Sequence, residues 1–310
     1  MQTLKFTLSL LAASSIMLSA CKDTASVKPG NADTQTATEA LSINFEKYTL
    51  DNGLDVVLHV DRSDPVVAID LAAHVGSARE TAGRTGFAHL FEHLLFLDSE
   101  NLGYGGLDEM NTRIGGEGTN GFTTHDMTQY FQAVPKDALE KIIWAEADKL
   151  GWFINTVSQE VVDNEKQVVK NEKRQRVDNA AYGYTQEVIR KALYPKGHPY
   201  SWTVIGSLPD LQAATLDDLR EFYDQYYGAS NATLAIAGDI DIAETKAKVE
   251  RWFGEIRKGP EIEPIAPMPV VLEESKSLYF EDNFAKLPEL RLTFPTVESF
   301  HGDEQALEVL

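Results

Sequence analysis

The sequence predicts an α+β fold: an antiparallel sheet packed with several helices, followed by the start of a second, similar unit. Three observations carry this. Strand-like and helix-like segments come in runs rather than in strict alternation. Asp51-Asn52-Gly53 separates two apolar, alternating stretches, the composition of a tight hairpin. Residues 43–257, about 215 positions, suffice for one substantial core.

Taken in order, the chain opens with Lys5 and an apolar run to Ala20, the pattern of a secretory leader over residues 1–20 and too short for a permanent membrane span. Leu18-Ser19-Ala20-Cys21 resembles a bacterial lipobox, which implies cleavage before Cys21 and acylation of that residue. Several acyl chains on one residue hold a protein stably at a membrane, whereas one does not. With Lys22 after the cysteine, the expectation is a lipid-anchored protein of a Gram-negative periplasm, at the outer membrane. Cys21 is the only cysteine, so no intrachain disulfide can form. Residues 21–42 are rich in Thr, Ala, Asp, Ser and Asn and read as a flexible tether.

The globular part begins near Ile43. Strands are expected at 45–50, 54–60 and 66–74, the last leading into a helix with Thr85 as its N-cap. A second hairpin follows, with strands at 118–124 and 128–134 and its turn at His125-Asp126. Helical periodicity then marks 136–152, 158–179, 184–194 and 215–227, with a strand at 233–237 and a helix at 242–253. Pro260, Pro264, Pro267 and Pro269 punctuate a linker over 258–270. In 271–310, strands are expected at 277–280 and 290–294, and a helix at 302–310.

The chemistry is concentrated in His89-Leu90-Phe91-Glu92-His93. Residues four apart on a helix share a face, so His89 and His93 can converge on one metal ion. Glu92 projects from the same side and can reach a metal-bound water, where a general base must stand. The bland alternative is a pair of hydrogen-bonded core histidines. A catalytic zinc needs a third protein ligand. The 158–179 helix offers one, because Glu165 and Glu172 fall on the stripe of Val161, Val162, Val168 and Val169. Carboxylates on an apolar face need a compensating cation. A metal would serve, and so would Lys166, Lys170 or Arg174. His59, His74, His125, His198 and His301 lack a partner at ligand spacing.

This His-x-x-Glu-His order resembles the signature of the pitrilysin-type zinc peptidases, the inverzincins, which include insulin-degrading enzyme and the mitochondrial processing peptidase. The similarity runs from His74-Val75-Gly76 through Gly118-Thr119-Asn120-Gly121-Phe122-Thr123-Thr124 to Ala237-Gly238-Asp239, about residues 44–256. The resemblance implies one Zn²⁺ ion held by His89, His93 and Glu172. It implies Glu92 as general base, Glu165 assisting the site without being a principal ligand, and a pitrilysin-type metallopeptidase fold. Asn120, Gly121 and Phe122 would hold an extended peptide along an exposed edge strand. It also implies an amino-terminal portion of a longer zinc endopeptidase, in which downstream domains of the same polypeptide or a partner subunit complete the site. The alternative is a catalytically silent scaffold or processing partner. A net charge of −20 argues against nucleic acid.

Overall fold

The computed structural model describes residues 42–310, so the leader, most of the tether and Cys21 lie outside the described residues. No helix among the described residues is long and apolar enough to cross a membrane. The strands are β1 (Glu46–Thr49), β2 (Asp55–Val60), β3 (Val66–Ala73), β4 (Glu117–Thr123), β5 (Thr128–Pro135) and β6 (Ala232–Gly238). They form one sheet in the order β1-β2-β6-β3-β5-β4. Hairpins join β1 to β2 and β4 to β5 where the turn residues indicate them.

The sheet is mixed, not purely antiparallel as expected. β3 is antiparallel to both neighbours, but β2 and β6 pair in parallel. The cause is positional. β2 and β3 run in opposite directions, and β6 inserts between them, so it must parallel one of the two.

Alternation along the strands decides what lies inside. Val56 and Leu58, Val67, Ile69 and Leu71, Tyr130 and Val134, and Leu234 and Ile236 are all buried, as a period of two requires on a covered face. Helices α1 (Phe87–Leu97) and α3 (Leu139–Trp152) contribute Leu90, Phe91, Leu94, Ile142, Ile143 and Leu150 to the same core. Phe91 stacks on Phe222 and Tyr227 at 5.3 and 5.1 Å between ring centroids, so α1 is fixed by aromatic packing as well as by its aliphatic stripe.

The entry to α1 differs from the expectation. Its N-cap is Gly86, not Thr85, with φ 91° in the left-handed region that favours glycine. Gly206 packs so closely that a Cβ there would lie 2.4 Å from the Gly86 nitrogen. The helix's free amides are met from a distance, where Glu80 accepts from Gly86 at 3.0 Å and from Ala88 at 2.9 Å. Burial pushes the Glu80 carboxyl up to about 8, against the backbone amides that hold it down. Thr85 is used elsewhere, donating to Asp210 Oδ2 at 2.6 Å and accepting from the Ser207 amide at 3.1 Å.

Helix α4 spans Gln159–Lys173, capped by the Ser158 hydroxyl, and continues as a wide π turn over Arg174–Asp178 rather than as one regular helix to 179. Its buried positions are Val162, Glu165, Lys166, Val169 and Lys173. Val168 is not on that stripe and is half exposed. Helices α5 (Thr185–Leu193), α7 (Leu216–Tyr226) and α8 (Ile242–Phe253) lie where periodicity places them. Helices α2 (Gly106–Ile114) and α6 (Leu208–Ala213) were not expected.

Beyond α8, no strand forms at 277–280 or 290–294, in contrast to the expectation. The stretch reaches α9 (Glu304–Val309) without regular structure. Apolar segments form a strand only where a ladder partner meets their backbone. Tyr279 and Leu290 are instead 89% and 88% exposed. Single contacts hold the segment, such as the Tyr182 hydroxyl on the Leu287 carbonyl at 2.7 Å and Tyr184 beside Phe280.

Candidate metal centre

Helix α1 presents His89, Glu92 and His93 toward the buried face of α4, and two atoms of α1 and one of α4 converge there. His93 Nε2 lies 3.3 Å and His89 Nε2 3.6 Å from Glu172 Oε2. Among the described residues these three form the group able to hold a metal ion, their ligand atoms all within 4.8 Å of one another. A tetrahedral zinc with legs of roughly 2.0–2.2 Å has edges of roughly 3.4 Å between ligand atoms. Two of the three separations, 3.3 and 3.6 Å, lie close to that edge. Glu172 Oε2 is buried and has no well-formed hydrogen bond, facing the two Nε2 atoms at 3.3 and 3.6 Å, the position of an oxygen that can share a cation with them. The donor set, two imidazole nitrogens and one carboxylate oxygen, suits zinc.

The charges agree with this use. Burial pushes the His89 imidazole down to about 4, with His93 adding to the effect, so His89 is neutral and ready to donate a lone pair. Burial also opposes charge on His93, but Glu165 and Glu172 outweigh it and push that imidazole up to about 9. Glu172 is held below its ordinary value, chiefly by the His93 imidazole beside it.

Glu165 and Glu172 do different things. His93 Nδ1 donates to Glu165 Oε1 at 2.8 Å, which orients the ring and leaves Nε2 facing Glu172. Glu172 faces the imidazoles directly, and Arg176 Nη1 holds its other oxygen, Oε1, at 2.7 Å. Burial raises the Glu92 carboxyl, while a 2.6 Å hydrogen bond from the Thr123 hydroxyl to Oε2 draws it back.

The structure therefore brings together His89, Glu92, His93, Glu165 and Glu172. The three residues expected to hold substrate lie on β4, which is an edge of the sheet as anticipated. There the Asn120 side chain accepts from the Gly121 amide at 2.9 Å, and Phe122 is 41% exposed. Gly121 lies against the metal helix, since a Cβ there would come within 3.0 Å of the Phe96 ring. Four other histidines have structural partners: His59 with the Asn44 carbonyl, His74 with Thr233, His125 with the Trp202 carbonyl and His198 with the Met268 carbonyl.

Sequence reasoning missed Thr123 and Arg176. The period of two gave a signal for the first, because Gly121 and residue 123 share a face of β4. Arg176 is four positions after Glu172, within reach on one helix face, but nothing local distinguishes it from Arg174.

Fold and site together place an inverted His-x-x-Glu-His motif against a carboxylate of a second helix, a group able to hold a metal ion. Comparison with known proteins agrees. The family profile described as "Insulinase (Peptidase family M16)" matches residues 55–198, and "Peptidase M16 inactive domain" matches residues 213–310. The chain belongs to the M16 peptidase family, and all five site residues fall within the Insulinase match. The zinc protease PqqE of Helicobacter pylori is 31% identical over 270 residues, which cover 86% of this chain and 60% of that protein. The crystal structure of a protease from Helicobacter pylori superposes with a TM-score of 0.69 at 31% identity, covering 74% of this chain and 55% of that one. Pitrilysin shares the fold, with a TM-score of 0.65 at 23% identity over 76% of this chain and 25% of its own. The chain spans about half the length of the curated relatives it matches.

Proposed function

We propose that this chain carries the zinc site of an endopeptidase that hydrolyses peptides or small unfolded polypeptides. The observation that carries the reading is the convergence of His89 Nε2, His93 Nε2 and Glu172 Oε2 beside Glu92 and along a free sheet edge. His89, His93 and Glu172 would hold the ion, and Glu165 would keep the His93 ring in register through Nδ1. A zinc ion bound there supplies Lewis acidity, polarising a peptide carbonyl and making water a competent nucleophile near neutral pH.

The rest falls to the protein. Burial raises the Glu92 carboxyl from its ordinary value, which makes it a better proton acceptor. Glu92 takes a proton from water as that water attacks the carbonyl, then returns it to the departing amine. The outer backbone of β4, around Asn120, Gly121 and Phe122, offers hydrogen bonds to an extended peptide added as a further strand. Side chains in the downstream domains of the same polypeptide, or in a partner subunit, would complete the substrate cleft. Acylation at Cys21 would anchor the enzyme at the periplasmic face of an outer membrane. Labelled palmitate should enter the wild type and not Cys21→Ala, and equal labelling of both would exclude the anchor.

Glu92→Gln keeps the shape and removes the base. In the complete polypeptide it should lower kcat on an internally quenched fluorescent peptide by about 10²–10⁴ while zinc stays bound. A fully active variant would refute the role of Glu92. A zinc-loaded wild type that cleaves nothing would favour the other reading, a silent processing subunit.

A further inference from the structure

The β4–β5 hairpin carries four threonines near its turn and along its strands, and their hydroxyls are used differently. Thr124 Oγ1 accepts from the Asp126 and Met127 amides, both at 3.1 Å, which is local turn chemistry. Thr128 Oγ1 donates to the Val75 carbonyl at 2.8 Å and ties the hairpin to the loop after β3. Thr119 bridges Asn111 and Gln132 inside the fold. Only Thr123, of these four, turns its hydroxyl toward the metal helix, donating to Glu92 Oε2 at 2.6 Å.

That contact has a structural prerequisite. Gly121 lies two residues before Thr123 on the same face of β4 and opposes Phe96, which lies one helical turn after Glu92. The missing side chain at 121 lets α1 approach the strand closely, and this approach brings Glu92 within reach of Thr123. A glutamate on a helix has several staggered side-chain arrangements. A short hydrogen bond to one carboxylate oxygen selects among them and leaves the other oxygen to accept a proton.

We propose that Thr123 is a positioning residue for the reaction. Its hydroxyl holds the Glu92 carboxylate in the orientation needed for proton transfer, and so ties the strand that would receive the peptide backbone to the group that would take the proton. The inference rests on the peptidase reading above. In that reading a peptide seated on β4 is registered against the base by the same strand, so the hydroxyl acts on turnover rather than on binding.

The test uses the complete, zinc-loaded polypeptide and an internally quenched fluorescent peptide, comparing wild type, Thr123→Val and Thr123→Ser. Valine keeps the shape and removes the donor, while serine restores it. In Thr123→Val, kcat should fall by about 10–100-fold, with KM within about twofold and an unchanged zinc content. Thr123→Ser should return kcat to within about threefold of wild type. A valine variant with wild-type kcat overturns the proposal, as does a loss shared by KM and zinc content. Crystals of the two variants give a readout independent of turnover. Glu92 should keep its rotamer with serine and lose it with valine, and an unchanged rotamer in the valine variant also overturns the proposal. A wild type that cleaves no peptide contradicts the peptidase reading, which is a separate failure.

Discussion

The two helices that make the site are built on opposite plans. Helix α1 is apolar around most of its circumference, with Phe87, Ala88, Leu90, Phe91, Leu94 and Leu95 buried. Its polar interior positions are His89, Glu92 and His93. Helix α4 is polar overall and buries two valines together with Glu165, Lys166 and Lys173. The buried lysines have partners, since Lys166 donates to the Ala214 carbonyl at 2.8 Å and Lys173 lies 4.0 Å from Glu187. Glu165 has the His93 ring, and Glu172 Oε2 faces both imidazoles without a well-formed hydrogen bond. One helix supplies two imidazoles from a rigid core element, His89 neutral and His93 charged by the carboxylates beside it, and the other brings the negative charge that meets them. An ion at the junction satisfies both, which neither helix achieves alone.

The comparison can be broken by removing ligands from each side. Losing one principal ligand, in His93→Ala or Glu172→Ala, should weaken zinc binding on the order of a thousandfold, read by competition with a chelating dye. Glu165→Gln should cost only about 10–100-fold, because it disturbs a ligand's orientation and not the ligand itself. If Glu165→Gln proved as damaging as Glu172→Ala, the division of labour on α4 would be wrong.

A smaller effect comes from protons. In the metal-free protein His93 is held protonated up to about 9, whereas His89 is pushed to about 4 and is already neutral. Zinc must therefore displace one proton near neutral pH. Apparent affinity should rise by about tenfold per pH unit and level off as the pH passes the value for His93. Calorimetry in buffers of different ionisation enthalpy should find about one proton released per ion. Finding none would show that Glu165 and Glu172 do not charge the ring.

The smallest effect concerns how α1 is held. Thr85→Val removes a hydroxyl bonded to Asp210 and Ser207, and should lower unfolding free energy by about 1–2 kcal/mol. Denaturant titration measures this, and an unchanged midpoint would mean that the Gly86–Gly206 contact and Glu80 anchor the helix unaided.

The same contrast explains what was legible in the sequence. His89, Glu92 and His93 lie within one helical turn, so their convergence follows from spacing alone. The two α4 glutamates could be read as an acidic stripe, but spacing could not choose between them. That choice depends on where α4 crosses α1, which is tertiary information, and only the family resemblance supplied it beforehand. Hairpins were legible because turn and strands are contiguous, whereas the parallel pairing of β2 with β6 joins residues such as Asp55 and Thr233. The Thr85 cap failed because Glu80 satisfies the amides from outside the local window. Helix α2 was hidden by the glycines that bound it, Gly105 and Gly115, both left-handed. The strands expected at 277–280, an apolar run, and 290–294, an alternating one, had no ladder to join.

The most direct test is anomalous scattering at the zinc edge from crystals of the metal-loaded polypeptide. One peak is expected between α1 and α4, at roughly 2.0–2.2 Å from His89 Nε2, His93 Nε2 and Glu172 Oε2. A peak elsewhere, or none at full zinc occupancy in solution, would contradict the account.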